Sequence, residues 1–193
     1  MSRFLFLLLP LLSACSYCID GYDNHISVSV PYAIGDFEGE LTNAIIWELS
    51  RSPEYSYTQD EGRWTIITKV LGTNNERIGF RYDRDDKSGE RRKNIVGTEN
   101  RKYMSVQVTV VNNRTGKKVL GPYIIKEEVD YDYADQNSLR DLSFVDSEGE
   151  RQTSIAFSLG QLDTVAAAGE DALYPLYQKI AKRIVEGLDA SDD

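Results

Sequence analysis

Met104, Val106, Val108 and Val110 alternate without interruption with Ser105, Gln107 and Thr109. A period of two puts the four apolar side chains on one face of a strand and the polar ones on the other. Such a strand needs a cover over its apolar face, and it fits an antiparallel sheet whose second face meets water. The neighbouring residues extend the pattern. Asn112-Asn113-Arg114-Thr115-Gly116 reads as a turn, and Val119 to Tyr133 returns as a strand with Val129, Tyr131 and Tyr133 on one face. Upstream, Ile26, Val28 and Val30 alternate with Ser27 and Ser29. Trp64, Ile66, Thr68 and Val70 form a further run, and the apolar Ile67 on the opposite parity predicts cover on both sides. Gly72-Thr73-Asn74-Asn75 interrupts that run. Ile78, Phe80 and Tyr82 then resume on the parity of Trp64, as one long bulged strand or a hairpin would. Residues 83–99 are strongly charged and read as ending in a mobile loop.

Two helices supply the cover. Between Glu38 and Arg51, Leu41, Ala44, Ile45 and Leu49 recur at helical spacing, and Ser52-Pro53 stops the run. After a polar, acidic stretch at 134–153, Leu173, Leu176, Tyr177, Ile180, Ile184 and Leu188 form an apolar stripe. Pro175 predicts a start or a kink in that helix. The predicted order is β-α-β-β-β-α. It implies an α+β fold: a two-layer sandwich of a roughly four-stranded, mainly antiparallel sheet with two helices on one face. No internal repeat is visible, so residues 25–188 read as one domain, large enough for a real core, followed by an acidic tail at 189–193.

The N-terminus sets the compartment. Arg3 precedes the apolar run Phe4-Leu5-Phe6-Leu7-Leu8-Leu9-Pro10-Leu11-Leu12. This run is too short to span a bilayer, which takes about 20 apolar residues, and it fits the core of a secretion signal. Leu12-Ser13-Ala14-Cys15 has the form of a lipobox. The expectation is therefore a signal peptide at 1–14, acylation of Cys15 and a lipidated tether over 15–24. Several acyl chains together hold a protein stably at a membrane. Cys18 is then the one remaining thiol, which leaves no intrachain disulfide. Ser16, where an Asp would favour retention in the inner membrane, points to the outer membrane and to a domain facing the periplasm.

Several function classes fall away. The formal net charge is −9, and removal of Arg3 makes it more negative, which argues against nucleic-acid binding. The single histidine, His25, stands at the edge of the first strand, and no Gly-x-Ser-x-Gly elbow, Walker A loop, dinucleotide motif or zinc spacing occurs. Asp83-Arg84-Asp85-Asp86 and Asp130-Tyr131-Asp132 lack the ligand offsets and glycine of a calcium loop. No catalytic residue, metal or cofactor is expected. A basic cluster remains: Arg91, Arg92 and Lys93, then Arg101 and Lys102, in and just after the connection between the second and third strands. Guanidinium and ammonium groups there suit phosphate and carboxylate groups of an anionic lipid, and a plain solvated loop neutralised by Asp85, Asp86 and Glu90 is the alternative.

The lipobox cysteine, the short tether and Ile26-Ser27-Val28-Ser29-Val30-Pro31 together resemble the start of the LPS-assembly lipoprotein (LptE) family. Phe37-Glu38-Gly39-Glu40-Leu41-Thr42-Asn43-Ala44-Ile45 is similar to a stretch where that family has an acidic residue, then Leu-Thr and an Ala at the same spacing. The turn Asn113-Arg114-Thr115-Gly116, the later Tyr131 and Asp132, and Ile180-Ala181-Lys182-Arg183-Ile184-Val185 also follow its pattern. The resemblance implies a non-enzymatic outer-membrane lipoprotein that partners and plugs the LPS-assembly β-barrel LptD, aids barrel assembly and supports lipopolysaccharide delivery to the outer leaflet. It also implies lipopolysaccharide binding near the connection that carries Arg91 and Arg92. A different class stays open beside it: a lipoprotein subunit of another envelope lipid-transport complex, or a regulator of a peptidoglycan synthase.

Overall fold

A computed structural model describes residues 25–85, 87–134, 143–153 and 164–190. The signal, the lipobox and the tether lie outside the described residues, as do the last three residues of the acidic tail. The elements are β1 (Ile26–Ser29), α1 (Glu40–Arg51), β2 (Tyr55–Thr58), β3 (Trp64–Arg84), β4 (Arg91–Asn112), β5 (Lys118–Asp132), β6 (Ser143–Val145), β7 (Arg151–Thr153), α2 (Val165–Asp171) and α3 (Leu173–Asp189).

The α+β expectation holds, with a five-stranded rather than a four-stranded main sheet in the order β2-β1-β3-β4-β5. β1 runs parallel to both β2 and β3, while β3-β4 and β4-β5 are antiparallel. The added strand, β2, is Tyr-Ser-Tyr-Thr between Pro53 and Gly62. Only its Tyr55 is buried, so it carries almost no periodic signal. Its position follows from α1, which returns the chain alongside β1.

Leu41, Ile45 and Leu49 of α1 and Leu176, Ile180, Ile184 and Leu188 of α3 are fully buried against Val28, Ile66, Val106 and Val108 of the sheet. Each such side chain contributes about 1.5–3 kcal/mol of burial. The start of α1 is secured indirectly. Gly39 caps it in a left-handed conformation and offers no side chain. Instead, the Asp36 carboxylate accepts from the Thr42 amide and the Thr42 hydroxyl, and the Thr42 hydroxyl oxygen accepts from the Ala33 amide. These bonds supply the amide of the first helical turn with the partner it lacks within the helix. At the other end Pro175 falls within the first turn of α3. It has no N–H to return to the Asp171 carbonyl, which suits the break between α2 and α3 at Ala172.

Three expectations require correction. Cover on both sides of β3 is absent: Ile67 is 43% exposed and the second face of the sheet is open. The charged stretch 83–99 is mostly strand, since β4 begins at Arg91 and the turn occupies only 85–90. Among the described residues of this stretch only Val96 and Gly97 are buried, too few for alternation to reveal a strand; pairing across the hairpin forms it. The polar stretch 134–153 likewise includes the β6-β7 ribbon, whose turn is closed by Asp146 accepting from the Glu148 and Glu150 amides.

The helices cover only the lower half of the β3-β4 hairpin. Trp64, Ile66 and Thr68 are buried, and the register then shifts between Val70 and Gly72 and again between Arg77 and Phe80. Beyond the first of these bulges every β3 side chain is half-buried or exposed. From Lys102 to the start of β4 at Arg91 the hairpin extends roughly 35 Å at the rise of a strand. It forms an arm that ends in two strands.

Candidate functional site

The tip of the arm gathers positive charge and apolar surface. Its turn is built from Asp85: the Asp85 amide donates to the Glu90 carbonyl, and one carboxylate oxygen accepts from the Lys87 and Ser88 amides. Gly89, at φ 70°, closes the turn in a conformation that favours glycine. The second carboxylate oxygen accepts from Arg92 at 2.9 Å. Arg92 first, then the Ser88 and Lys87 amides, hold the Asp85 carboxyl well below the usual carboxylate range.

Arg84 and Arg91 face each other as a cross-strand pair. The Arg91 guanidinium stacks 3.2 Å from the centroid of the Tyr82 ring, a cation–π contact that holds it without neutralising it. Like charges directly opposed are unfavourable, so the tip is built to gain from an anion. Arg81, Tyr82, Arg84 and Arg91 line a shallow hollow of about 480 Å³. Phe80 (58% exposed), Tyr82 and Ile95 add bare apolar surface. Cations beside the exposed Phe80 ring and the Ile95 side chain match an anionic amphiphile.

The five cations singled out in the sequence are not brought together. Arg91, Arg92 and Lys93 begin β4 at the tip and are exposed. Arg101 lies farther down, with its guanidinium bidentate to Asp130 at 2.6 and 2.8 Å and 3.2 Å from Glu128. Those hydrogen bonds raise the Arg101 pKa and lower that of Asp130. Lys102 points to the opposite face. It is only 8% exposed, and its ammonium donates to the Gly169 carbonyl at the end of α2. Desolvation pushes its pKa down, partly offset by the Glu170 charge. Alternation sends neighbours in a strand to opposite faces, so adjacency in sequence separates these two.

Sequence reasoning missed Arg84, Phe80, Tyr82 and Ile95 as site residues. Phe80 and Tyr82 share the parity of the buried Trp64, and only the bulges and the end of the helix layer expose them. Among the described residues no three His, Cys, Asp or Glu side chains come together as a metal site. No helix among them is long and apolar enough to cross a membrane.

A small two-layer domain bearing a cationic, aromatic arm is a binding module. The chain belongs to the LptE family: the family model, described as lipopolysaccharide-assembly, matches residues 24–188. Its role is accordingly that of a lipopolysaccharide-assembly lipoprotein. No curated protein sequence matches it. Among solved structures it is similar to rare lipoprotein B from Shewanella oneidensis, at 16% identity and a TM-score of 0.42 over 86% of this chain and 96% of that one. Lipoprotein B from Nitrosomonas europaea matches at 10% identity and a TM-score of 0.42 over 86% of each chain. A Caulobacter crescentus CB15 protein described as a lipoprotein matches at 16% identity and a TM-score of 0.46 over 86% of this chain and 88% of that one. The family match carries the assignment.

Proposed function

We propose that this protein is held by acyl chains on Cys15 to the outer membrane, faces the periplasm, and partners and plugs the β-barrel of lipopolysaccharide assembly. Its arm engages lipopolysaccharide during delivery to the outer leaflet, and the domain supports assembly of the barrel. It binds and positions and performs no chemistry of its own. The observation that carries the lipid reading is the Arg84-Arg91-Tyr82 tip, where cations stand beside exposed apolar side chains. Phosphates and acyl chains on one molecule answer both features. Arg84 and Arg91 are the leading contacting cations, with Lys93 and the Asp85-paired Arg92 beside them and Arg101 and Lys102 at the base of the arm. The open, largely polar face of the sheet, with Ser105, Gln107 and Thr109, suits the polar interior of a barrel. The anchor raises the effective concentration of domain and barrel for each other without new contacts.

Affinity purification of the acylated protein from detergent-solubilised membranes, wild type against Cys15→Ala, tests this. A large outer-membrane barrel recovered in stoichiometric amount with the wild type is expected. Recovery of an inner-membrane transporter or a cell-wall synthase instead would support the alternative envelope roles and overturn the plug reading. For the lipid, Arg84→Glu with Arg91→Glu should abolish lipopolysaccharide binding to the purified protein while its unfolding curve stays in place.

A further inference from the structure

Phe37 is 96% exposed at the entrance to α1. It stands at one end of a groove of about 1020 Å³ that runs between the start of α1, the α2-α3 junction and the first bulge of β3. Leu71 and Tyr174, both exposed, continue its apolar surface, and Val70, Met104 and Leu173 also line it. A second hollow of about 310 Å³ shares Glu40, Tyr174 and Tyr177 with the first and carries the strip on to Trp47, which is also exposed. The result is one aromatic strip along the helix side of the domain, at the far end of the arm from the cationic tip.

At the Trp47 end the Arg51 guanidinium stacks 4.5 Å from the ring, whereas the exposed charges around the larger groove are all negative. Glu38, Glu40, Glu170 and Asp171 line the groove and are exposed, and none forms an ion pair within 4.0 Å among the described residues. The one cation in the lining, Lys102, is buried and turned to the Gly169 carbonyl. The negative field reaches neighbouring groups. The Tyr177 phenol is pushed up by burial and then by the charges of Asp36, Glu40 and Glu38.

We infer that this groove is a docking site for a polypeptide segment of a partner protein in which apolar side chains are flanked by lysine or arginine. Charge complementarity selects that occupant. An acidic rim repels the phosphates of a lipid headgroup, and no three carboxylates meet as a metal site among the described residues. The chain's own stretches 16–24 and 154–163 contain no lysine or arginine, and 135–142 sets its one arginine, Arg140, against Asp135 and Asp141. A two-fold contact between copies would place the same patch on both and set one acidic rim against another. Interface cores are enriched in aromatic side chains inside a polar rim, and rim carboxylates steer and select a cationic partner. The inference does not depend on the lipid reading of the arm tip.

Site-specific photo-cross-linking in intact cells tests it. A benzophenone side chain replaces Phe37 or Tyr174, with Lys117 in the exposed β4-β5 turn as a comparison position, and the cross-linked peptide is mapped by mass spectrometry. Cross-links from both groove positions to one segment bearing Lys or Arg beside apolar residues are expected. Glu38→Lys with Glu170→Lys should cut the Tyr174 yield about tenfold, as should Phe37→Ala. Reversing Glu61 and Glu148, which are also exposed and lie outside the groove lining, should leave the yield unchanged. Because all these residues are exposed, the variants should unfold at the wild-type temperature. Cross-links to lipid, to a second copy, to the chain itself or to an acidic or uncharged segment would overturn the inference. So would no cross-link at either position, or a yield insensitive to the groove reversal.

Discussion

Replacing Ile66 and Phe80 by alanine separates the covered half of β3 from its arm. The two positions share a parity, so an unbroken strand under one helix layer would bury both and make both truncations costly. Ile66 has no exposed surface, whereas Phe80 is 58% exposed. Emptying a sealed isoleucine site costs about 2–5 kcal/mol. Full burial of a phenylalanine is worth about 1.5–3 kcal/mol, so a ring that keeps less than half its surface covered loses about 1 kcal/mol on truncation. In a domain of this size each kcal/mol moves Tm by about 2–4 °C. Ile66→Ala should therefore lower Tm by roughly 4–20 °C, and Phe80→Ala by less than about 4 °C. Thermal and urea unfolding followed by circular dichroism read both, with unchanged m-values showing that only stability has moved. Lipopolysaccharide binding by the same proteins below their transitions should rank in reverse, with Phe80→Ala impaired and Ile66→Ala retained. Equal stability losses would refute the placement of Phe80 outside the core. Full lipid binding by Phe80→Ala would refute its part in the tip.

Asp36→Ala removes the acceptor for the Thr42 amide and hydroxyl, and loss of bonds to a charged group at a buried site should cost about 2–3 kcal/mol in urea unfolding; a wild-type midpoint would show that Asp36 does not hold the start of α1. Lys102 titrates below its ordinary value near 10.5. In the window between the lowered folded value and 10.5, the unfolded chain holds the proton that the folded one has released. Stability should then rise with pH relative to Lys102→Met, and parallel Tm profiles for the two proteins across the alkaline range would contradict this. Gly121 has φ 81° and its missing Cβ would meet the Val108 carbonyl, so Gly121→Val should destabilise the β4-β5 pair by more than 1 kcal/mol, and amide exchange in both strands should accelerate.

The helix layer and the central strands were legible in the sequence because their physics is periodic. Leu41, Ile45 and Leu49, the Leu176 to Leu188 stripe and Met104 to Val110 each bury a single face. Burial of one face writes a period of 3.6 or 2 into the chain. β2 was illegible because only its Tyr55 is buried, and the three-residue strands β6 and β7 are too short to show a period, so hydrogen-bond pairing defines them. The candidate site was partly legible: charge marked Arg91, Arg92 and Lys93, but nothing local distinguished them from Arg101 and Lys102.

The sequence by itself determined the α+β class, the two covering helices, the lipobox expectation and the family resemblance, since each is read from local patterns and their order along the chain. Tertiary structure alone decided where the cover ends. The bulges after Val70 and Arg77 and the length of α3 leave Phe80 and Tyr82 in water although their parity is that of Trp64. The same packing turned Lys102 inward to Gly169, bound Arg101 to Asp130, and gathered Phe37, Leu71 and Tyr174 from three distant segments into one groove. Exposure is a property of what lies overhead, and what lies overhead is set by contacts that no stretch of sequence encodes alone.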